Sequence, residues 1–331
     1  MAINYGQVAK LETEPLRKGI IMNIIRHAKA MEWMPFENVN SLSSVAVRWT
    51  NLPDVAFRKI NTGYTASEGD VEQVYESVYG FGGDIEMDRV YDKISNYIVD
   101  PKTLQIEMKT KSMAYTFNNY LINGDHGTDA DGFEGLKVRV DNSPSRQKIR
   151  AGSTTDVLDP TASSGNAQRF LSKWEEAWHR ANDGNVGAIL MNEGLKLGFA
   201  RVLRYLNVSG GDVLDVTKDS FDRQVITYRG APFIDMGYTS DQSTEIIPNN
   251  ETAEDEGSDA TSVYFLSFGT DQGISGIQLS DMEVYDPLDG GERETKPTKL
   301  VRVEWWCGLA GFGSHGVTRL HNIETPASWT A

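Results

Sequence analysis

The stretch DPKTLQIEMKTKSMAYTFNNYLING, Asp100 to Gly124, decides how the rest of the chain is read. Asp100 is a candidate N-cap, and Pro101 takes the first helical position, where a missing N–H leaves no bond unmade. Asn123 and Gly124 can adopt the left-handed conformation that ends a helix. Between them lie neither glycine nor a second proline, and many good helix formers, among them Leu104, Gln105, Glu107, Met108, Lys109 and Lys111. Ile106, Met113, Phe117, Tyr120 and Leu121 fall on one stripe, with Thr110 filling its gap. Such a helix runs about 34 Å at ~1.5 Å per residue, long for a globular domain. Two readings stand at this point: a core helix of ordinary kind, or a strut.

Working outward, 331 residues suffice for two compact domains or one elaborate one with extensions. Hydrophobic content of 39% with 24% charged residues fits a folded chain rather than a disordered one. No apolar run approaches the roughly 18 residues of a membrane span. The N-terminal MAINYGQVAKLETEPLRKGI has no apolar core and no small-residue cleavage site, so synthesis without ordinary export is expected. The single cysteine, Cys307, rules out an intrachain disulfide and a multi-cysteine metal knuckle, and its apolar surroundings suit a buried hydrophobe. With 32 basic and 47 acidic residues the formal charge is −15, which disfavours sequence-specific nucleic-acid binding and favours solubility.

Residues 1–40 read as an extended arm with one short helix after Pro15, lined by Leu16, Ile20, Ile24 and Met31. Arg17, Lys18, Arg26 and Lys29 make it the most cationic part of the chain, a solvated face or a contact with nucleic acid or an acidic neighbour. From Ser44 to Phe81 the period changes to two. Val45, Val47 and Trp49 alternate with polar residues, and Val55 and Phe57 continue that rhythm past Pro53. In VEQVYESVYGF, Gln73, Tyr75, Ser77 and Tyr79 share one face, with Val74 and Val78 on the other. Two such runs around a Gly/Ser-containing loop predict a long β-hairpin, marginal alone and in want of a partner surface.

Beyond the helix, residues 141–168 read as an irregular surface connection. Phe170–Asn182 is a predicted helix with Trp174 and Trp178 one turn apart, NVGAILMN a short buried strand, and Glu193–Leu206 a further helix. Asp219–Tyr228 and Pro232–Met236 are strand-like, so 170–236 has the alternation of an α/β or α+β unit with its own core. The acidic NNETAEDEGSDA, 249–260, reads as a solvated, mobile loop. Strands are then expected over Val263–Phe268, Ile274–Leu279, Met282–Tyr285 and Lys299–Ala310, the last with Val301, Val303 and Trp305 on one face.

The chemistry-bearing motifs are sparse. Gly311, Gly313 and Gly316 satisfy G-x-G-x-x-G, but too little chain follows for the helix, second strand and acid of a dinucleotide site, so a glycine-rich turn is expected. Asp129 and Asp131 before Gly132 weakly resemble a calcium loop that lacks its third ligand and terminal Glu. His27, His126, His179, His315 and His321 show no ligand spacing, and Ser314–His315 are only sequence neighbours. No catalytic, cofactor or metal residue is therefore assigned.

The order of parts says more than any motif. Gly132-Phe133-Glu134-Gly135-Leu136 after the long helix, Ala188-Ile189-Leu190-Met191-Asn192, Tyr228-Arg229-Gly230-Ala231-Pro232-Phe233-Ile234, and Arg302-Val303-Glu304-Trp305 through Gly308-Leu309, with Arg319-Leu320 and Ile323, resemble stretches of tailed-bacteriophage major capsid proteins of the Hong Kong 97-like fold. The resemblance implies an α+β fold. Its parts would be an N-terminal arm (1–40), an extended E-loop hairpin (41–88), a peripheral domain (89–149) with spine helix 101–123, an axial domain (150–270), and C-terminal β strands (271–331) returning to the peripheral domain. It implies a structural, self-assembling protein of an icosahedral shell, not an enzyme, without a cofactor. Its partners would be copies of itself in hexamers and pentamers, packaged double-stranded DNA bound without sequence preference, and scaffold, portal or decoration proteins, with no membrane. The location implied is the virion capsid, assembled in the host bacterial cytoplasm. Arg17, Arg26, Trp49, Phe57, Tyr75 and Tyr79 are the candidate intersubunit contacts, and Ile106, Met113, Phe117 and Leu121 the spine's inner stripe. An encapsulin-like compartment shell shares that fold, and an α+β enzyme is the remaining alternative.

Overall fold

A computed structural model describes residues 3–4, 15–93, 101–152, 158–206, 214–218, 222–253, 256–270, 272–288, 291–293, 295–313 and 315–324. In chain order the elements begin with β1 (Ile3–Asn4), α1 (Pro15–His27), α2 (Lys29–Trp33), β2 (Pro35–Asn38), β3 (Ser43–Asn51), β4 (Asp70–Ser77) and β5 (Tyr79–Asp88). Then come α3 (Pro101–Asn123), α4 (Leu136–Asp141), β6 (Lys148–Arg150), α5 (Ser164–Arg180), β7 (Ala188–Met191), α6 (Glu193–Tyr205), β8 (Leu214–Lys218), β9 (Gln224–Tyr228) and β10 (Ala231–Asp235). The rest is strand: β11 (Glu251–Ala253), β12 (Glu256–Leu266), β13 (Ser275–Gln278), β14 (Glu283–Tyr285), β15 (Thr298–Ala310) and β16 (Val317–Glu324).

Helix α3 spans the expected stretch and buries Ile106, Thr110, Met113, Phe117 and Leu121 along one stripe, together with Ala114, Asn118 and Ile122. The two polar members of that stripe tie α1 to it. The Asn23 amide donates to Thr110 Oγ1 at 2.9 Å, and the Asn118 amide to the His27 carbonyl at 3.2 Å, while Ile20 and Ile24 of α1 are buried. Asp100, the expected N-cap, lies outside the described residues. The C-terminal end departs from expectation: neither Asn123 nor Gly124 has a positive φ. Glycine is required at 124 for a different reason. A Cβ there would stand 2.5 Å from the carbonyl oxygens of Tyr120 and Phe133. The G-F-E-G-L turn folds back on the helix end, with the Gly135 N–H donating to Gly124 O at 2.8 Å and Phe133 packing on Phe117 at 5.9 Å between ring centroids.

Two sheets flank α3. The six-stranded sheet runs β1-β2-β13-β15-β14, with β5 paired to β15 from Thr298↔Asp88 to Cys307↔Tyr79. Alternation along β15 buries Val301, Val303, Trp305, Cys307 and Leu309. Trp305 meets Phe117 at 5.5 Å and Phe36 at 5.3 Å, an aromatic contact that joins β15, α3 and β2. The eight-stranded sheet runs β6-β16-β12-β7-β10-β9-β8, with β11 on β12. Helices α5 and α6 cover one of its faces. There Trp174 lies 4.6 Å from Phe199 and 4.8 Å from Phe265.

The expected separate core of 170–236 is present on that face, where Ile189, Met191, Phe233, Val263 and Phe265 pack. The opposite face contributes Ala188, Leu190, Ile234, Tyr264 and Leu266 to the core around α3. A strand buried on both faces needs no polar alternation, which is why AILM is apolar throughout.

Three further expectations are corrected. Residues 52–69, including Val55 and Phe57, form an exposed loop rather than a continued strand, because nothing pairs with them past Pro53. The acidic 249–260 segment is not a loop but the hairpin β11–β12. Glu251 is drawn into it by ion pairs with Arg319 at 2.5 Å and Lys137 at 3.2 Å. Strand β16 does not return with β15 to the six-stranded sheet; it pairs with β12 and β6, turning away at the glycine-rich 311–316 link.

Candidate functional site

The hairpin β3–β4 is a two-stranded sheet of its own, from Ser43↔Ser77 to Asn51↔Asp70. Its register places Val45 opposite Tyr75, Val47 opposite Gln73 and Trp49 opposite Val71 on one face. Val45, Val47, Trp49, Val71 and Tyr75 are each more than half exposed. At the tip Leu52, Val55, Phe57, Ile60 and Tyr64 are also exposed, Phe57 fully. The other face carries Ser44↔Glu76, Ala46↔Val74 and Arg48↔Glu72, the last pair bridged at 2.9 Å. Two strands without a covering layer do not hold together well in water, so this apolar ladder is shaped for another surface.

The root of the hairpin is held by one guanidinium. Arg139 of α4 donates two bonds to Glu76 of β4, at 2.5 and 2.8 Å, and others to Leu309 O at 2.8 Å and Glu134 O at 3.0 Å. The Gly311 N–H adds a bond to Glu76 at 3.2 Å. The planar fork of arginine thus links the hairpin, the G-F-E-G-L turn and the end of β15, all largely out of water. A cavity of about 350 Å³ lies beside it, lined in part by Val74, Tyr79, His126 and Phe133.

The predicted contact residues divide. Trp49, Phe57 and Tyr75 stand exposed on the hairpin, and Arg26 is exposed on α1. Tyr79 instead turns toward the body: it begins β5, its ring lies 5.7 Å from that of His126, and its hydroxyl is 3.3 Å from His126 Nδ1. Burial, then Glu76 and Glu134, push its phenol pKa up. The cause is the change of partner at Val78, where the chain leaves β3 for β15. Arg17 lies in α1, with its side chain outside the described ones. Ile106, Met113, Phe117 and Leu121 are all core. Sequence reasoning missed Glu76 and Arg139, since a carboxylate and a guanidinium so far apart in the chain carry no local signal. It also missed the Val45–Tyr75 ladder, which only the register reveals.

The motifs that touched on chemistry have structural uses. Gly311, Gly313 and Gly316 sit in a strand–turn–strand link, without the helix a dinucleotide needs. Asp129 accepts from the Tyr120 hydroxyl and from the Asp131 N–H. Among the described residues no three His, Cys, Asp or Glu side chains gather to hold a metal ion.

Residues 18–178, which include the hairpin, α3 and the turn after it, match the family model described as Major capsid protein GP7. Just under half of the chain is thus similar to major capsid proteins, and its fold is Hong Kong 97-like. The SrpI encapsulin from Synechococcus elongatus superposes on it with a TM-score of 0.60 at 15% identity, over 90% of this chain and 88% of that one. The capsid of a native GTA particle gives 0.58 at 13% identity, over 90% and 89%. The structure from Mycobacterium phage Bobi gives 0.54 at 12%, over the same shares. At these identities the likeness is one of fold. No curated protein matches this chain's sequence. Among the described residues no helix is long and apolar enough to cross a membrane.

Proposed function

We propose that this chain is a capsid protein that forms an icosahedral phage head of hexamers and pentamers and encloses double-stranded DNA. The observation that carries the reading is the uncovered apolar ladder of β3–β4 and its tip, projecting from a body whose fold builds shells. Trp49, Phe57 and Tyr75 lie against a neighbouring subunit, and Arg17 and Arg26 of α1 add a second contact. The described part of 1–40 is not a free arm, since Ile20, Ile24, Met31 and Phe36 pack in this chain's own core. Such extended contacts add avidity without a large globular interface. The excess of acid over base lets DNA be held without sequence preference and without tight adhesion to the wall. The role is structural, not catalytic; scaffold, portal and decoration proteins act as assembly partners in the host cytoplasm.

The double variant Trp49→Ser/Phe57→Ser tests this. Both side chains are exposed, so its thermal midpoint stays at the wild-type value while negative-stain microscopy finds no particles. Normal particles from the variant, or a wild-type chain that remains monomeric when concentrated, overturn the reading. The encapsulin fold match supports a second reading, a compartment shell that holds protein. Particle contents separate the two: nuclease-protected DNA belongs to the head, and a co-purifying cargo protein to the compartment.

A further inference from the structure

A second site lies away from the hairpin. A cavity of about 190 Å³ opens between α2, the start of α6 and strands β9 and β10, lined in part by Lys29, Glu32, Trp33, Lys196, Arg223 and Phe233. In a chain of formal charge −15, three of its wall residues are cations. Two of these have acidic neighbours. Lys29 Nζ is 3.9 Å from Asp235, and Arg223 Nη2 is 3.4 Å from Glu32, whose side chain is 3% exposed.

Lys196 differs. No ion pair and no side-chain hydrogen bond reaches it among the described residues. Burial first, and Lys29 second, push its pKa down; Asp235 and Glu193 pull the other way without cancelling them. Lys196 also stands in the first turn of α6, after Asn192 has capped the Leu195 N–H at 2.8 Å. Positive charge is disfavoured there by the helix dipole, whereas an anion is welcomed. Three separate influences therefore oppose the ammonium, and a bound anion would relieve all of them. Cations from α2, α6 and the residue just before β9, the last a planar guanidinium, suit an oxyanion with several free oxygens better than a monatomic one.

We propose that this cavity binds a phosphoryl group, held by Lys196, Lys29 and Arg223 beside the Trp33 ring. The group comes either from a free phosphate or from a nucleic-acid backbone, and the site does not depend on which particle the chain builds. Titration of the purified protein with inorganic phosphate in chloride buffer, followed by ³¹P NMR line width, gives saturable binding to one site per chain. Binding weakens about tenfold in Lys196→Met, the loss of one charge-assisted bond. Lys29→Gln, at a half-exposed position, weakens it in the same direction and serves if the first variant does not fold. Absence of saturable binding to wild type, or equal binding by both variants, overturns the proposal. A short DNA duplex added to the phosphate-loaded protein then assigns the source. Release of phosphate identifies the nucleic-acid backbone as the ligand, and retention identifies a free oxyanion, the phosphoryl site standing in both cases.

Discussion

His321 shows how much a single position depends on its surroundings. It lies in β16, where two residues stand against one of β12: Thr261 faces Ile323, yet Val263 faces Leu320. The bulge puts Asn322 at φ 61°, a left-handed conformation that asparagine tolerates better than most residues. His321 is buried there with Arg319, Lys148 and Arg150 nearby. Burial first, and Arg319 second, push its pKa down to about 4 from the usual 6.5. The folded state thus resists a proton that the unfolded chain accepts. The stability from the neutral ring is complete above pH 6.5 and is lost as pH falls from there toward 4, on the order of 3 kcal/mol at most. Urea unfolding of wild type and His321→Gln across that range checks this: the variant lacks the acid-side slope. Glu251 acts in a lower window. Burial alone would raise its pKa, but Arg319, Ser262 and Lys137 together hold it below 4.5, so its contribution is lost only as pH falls below that value. Neither shift could be read from the sequence, because the cations responsible come from β6, α4 and the strand itself.

Two elements carry the proposed shell-forming role, the hairpin and α3. The hairpin's own pattern was legible, down to Trp49 and Tyr75 on its strands, but its anchor was not. Among the described residues, Arg139→Met leaves Glu76 with only the Gly311 N–H, and it should lower stability by about 3 kcal/mol or more. It should also make residues 43–77 the first cleaved in limited proteolysis. Arg139→Met/Glu76→Gln should recover part of the loss, since no charge is then left unpaired. Recovery absent in the double variant would remove the ion pair as the anchor. For α3, Lys111→Pro sits mid-helix and takes away one backbone bond while its ring strikes the preceding turn. A loss of ~3 kcal/mol or more in urea unfolding, with no particles by microscopy, is expected. The helix was the most legible element of all, because propensity and stripe agree over its whole length. Its C-terminal end was misread. The glycine there answers to the returning 133–135 turn, a contact between parts of the chain that local dihedral rules do not describe.

For the whole molecule, charge and layer order set the behaviour. Subunits of net charge −15 repel one another, and salt screens that repulsion over a Debye length of about 10 Å at ~0.1 M. Assembly followed by light scattering should therefore quicken as ionic strength rises from ~0.01 M to ~0.15 M; slower assembly would point to intersubunit ion pairs as the main attraction. The eight-stranded sheet explains how one body holds two cores: its strands bury alternate side chains in each. The amino-acid sequence by itself determined the α+β content, the long helix, a hairpin in search of a partner and the resemblance to phage capsid proteins. Those features follow from neighbours in the chain, through periodicity, capping and the order of parts. Only the tertiary structure decided that β16 joins β12 rather than β15, that the acidic 249–260 segment pairs as a hairpin, and that Tyr79 faces inward. It alone placed Arg139 on Glu76 and Lys196 beside its cavity. Strand partners and ion pairs are contacts between residues far apart in sequence, and their free energies exist only once the layers are packed.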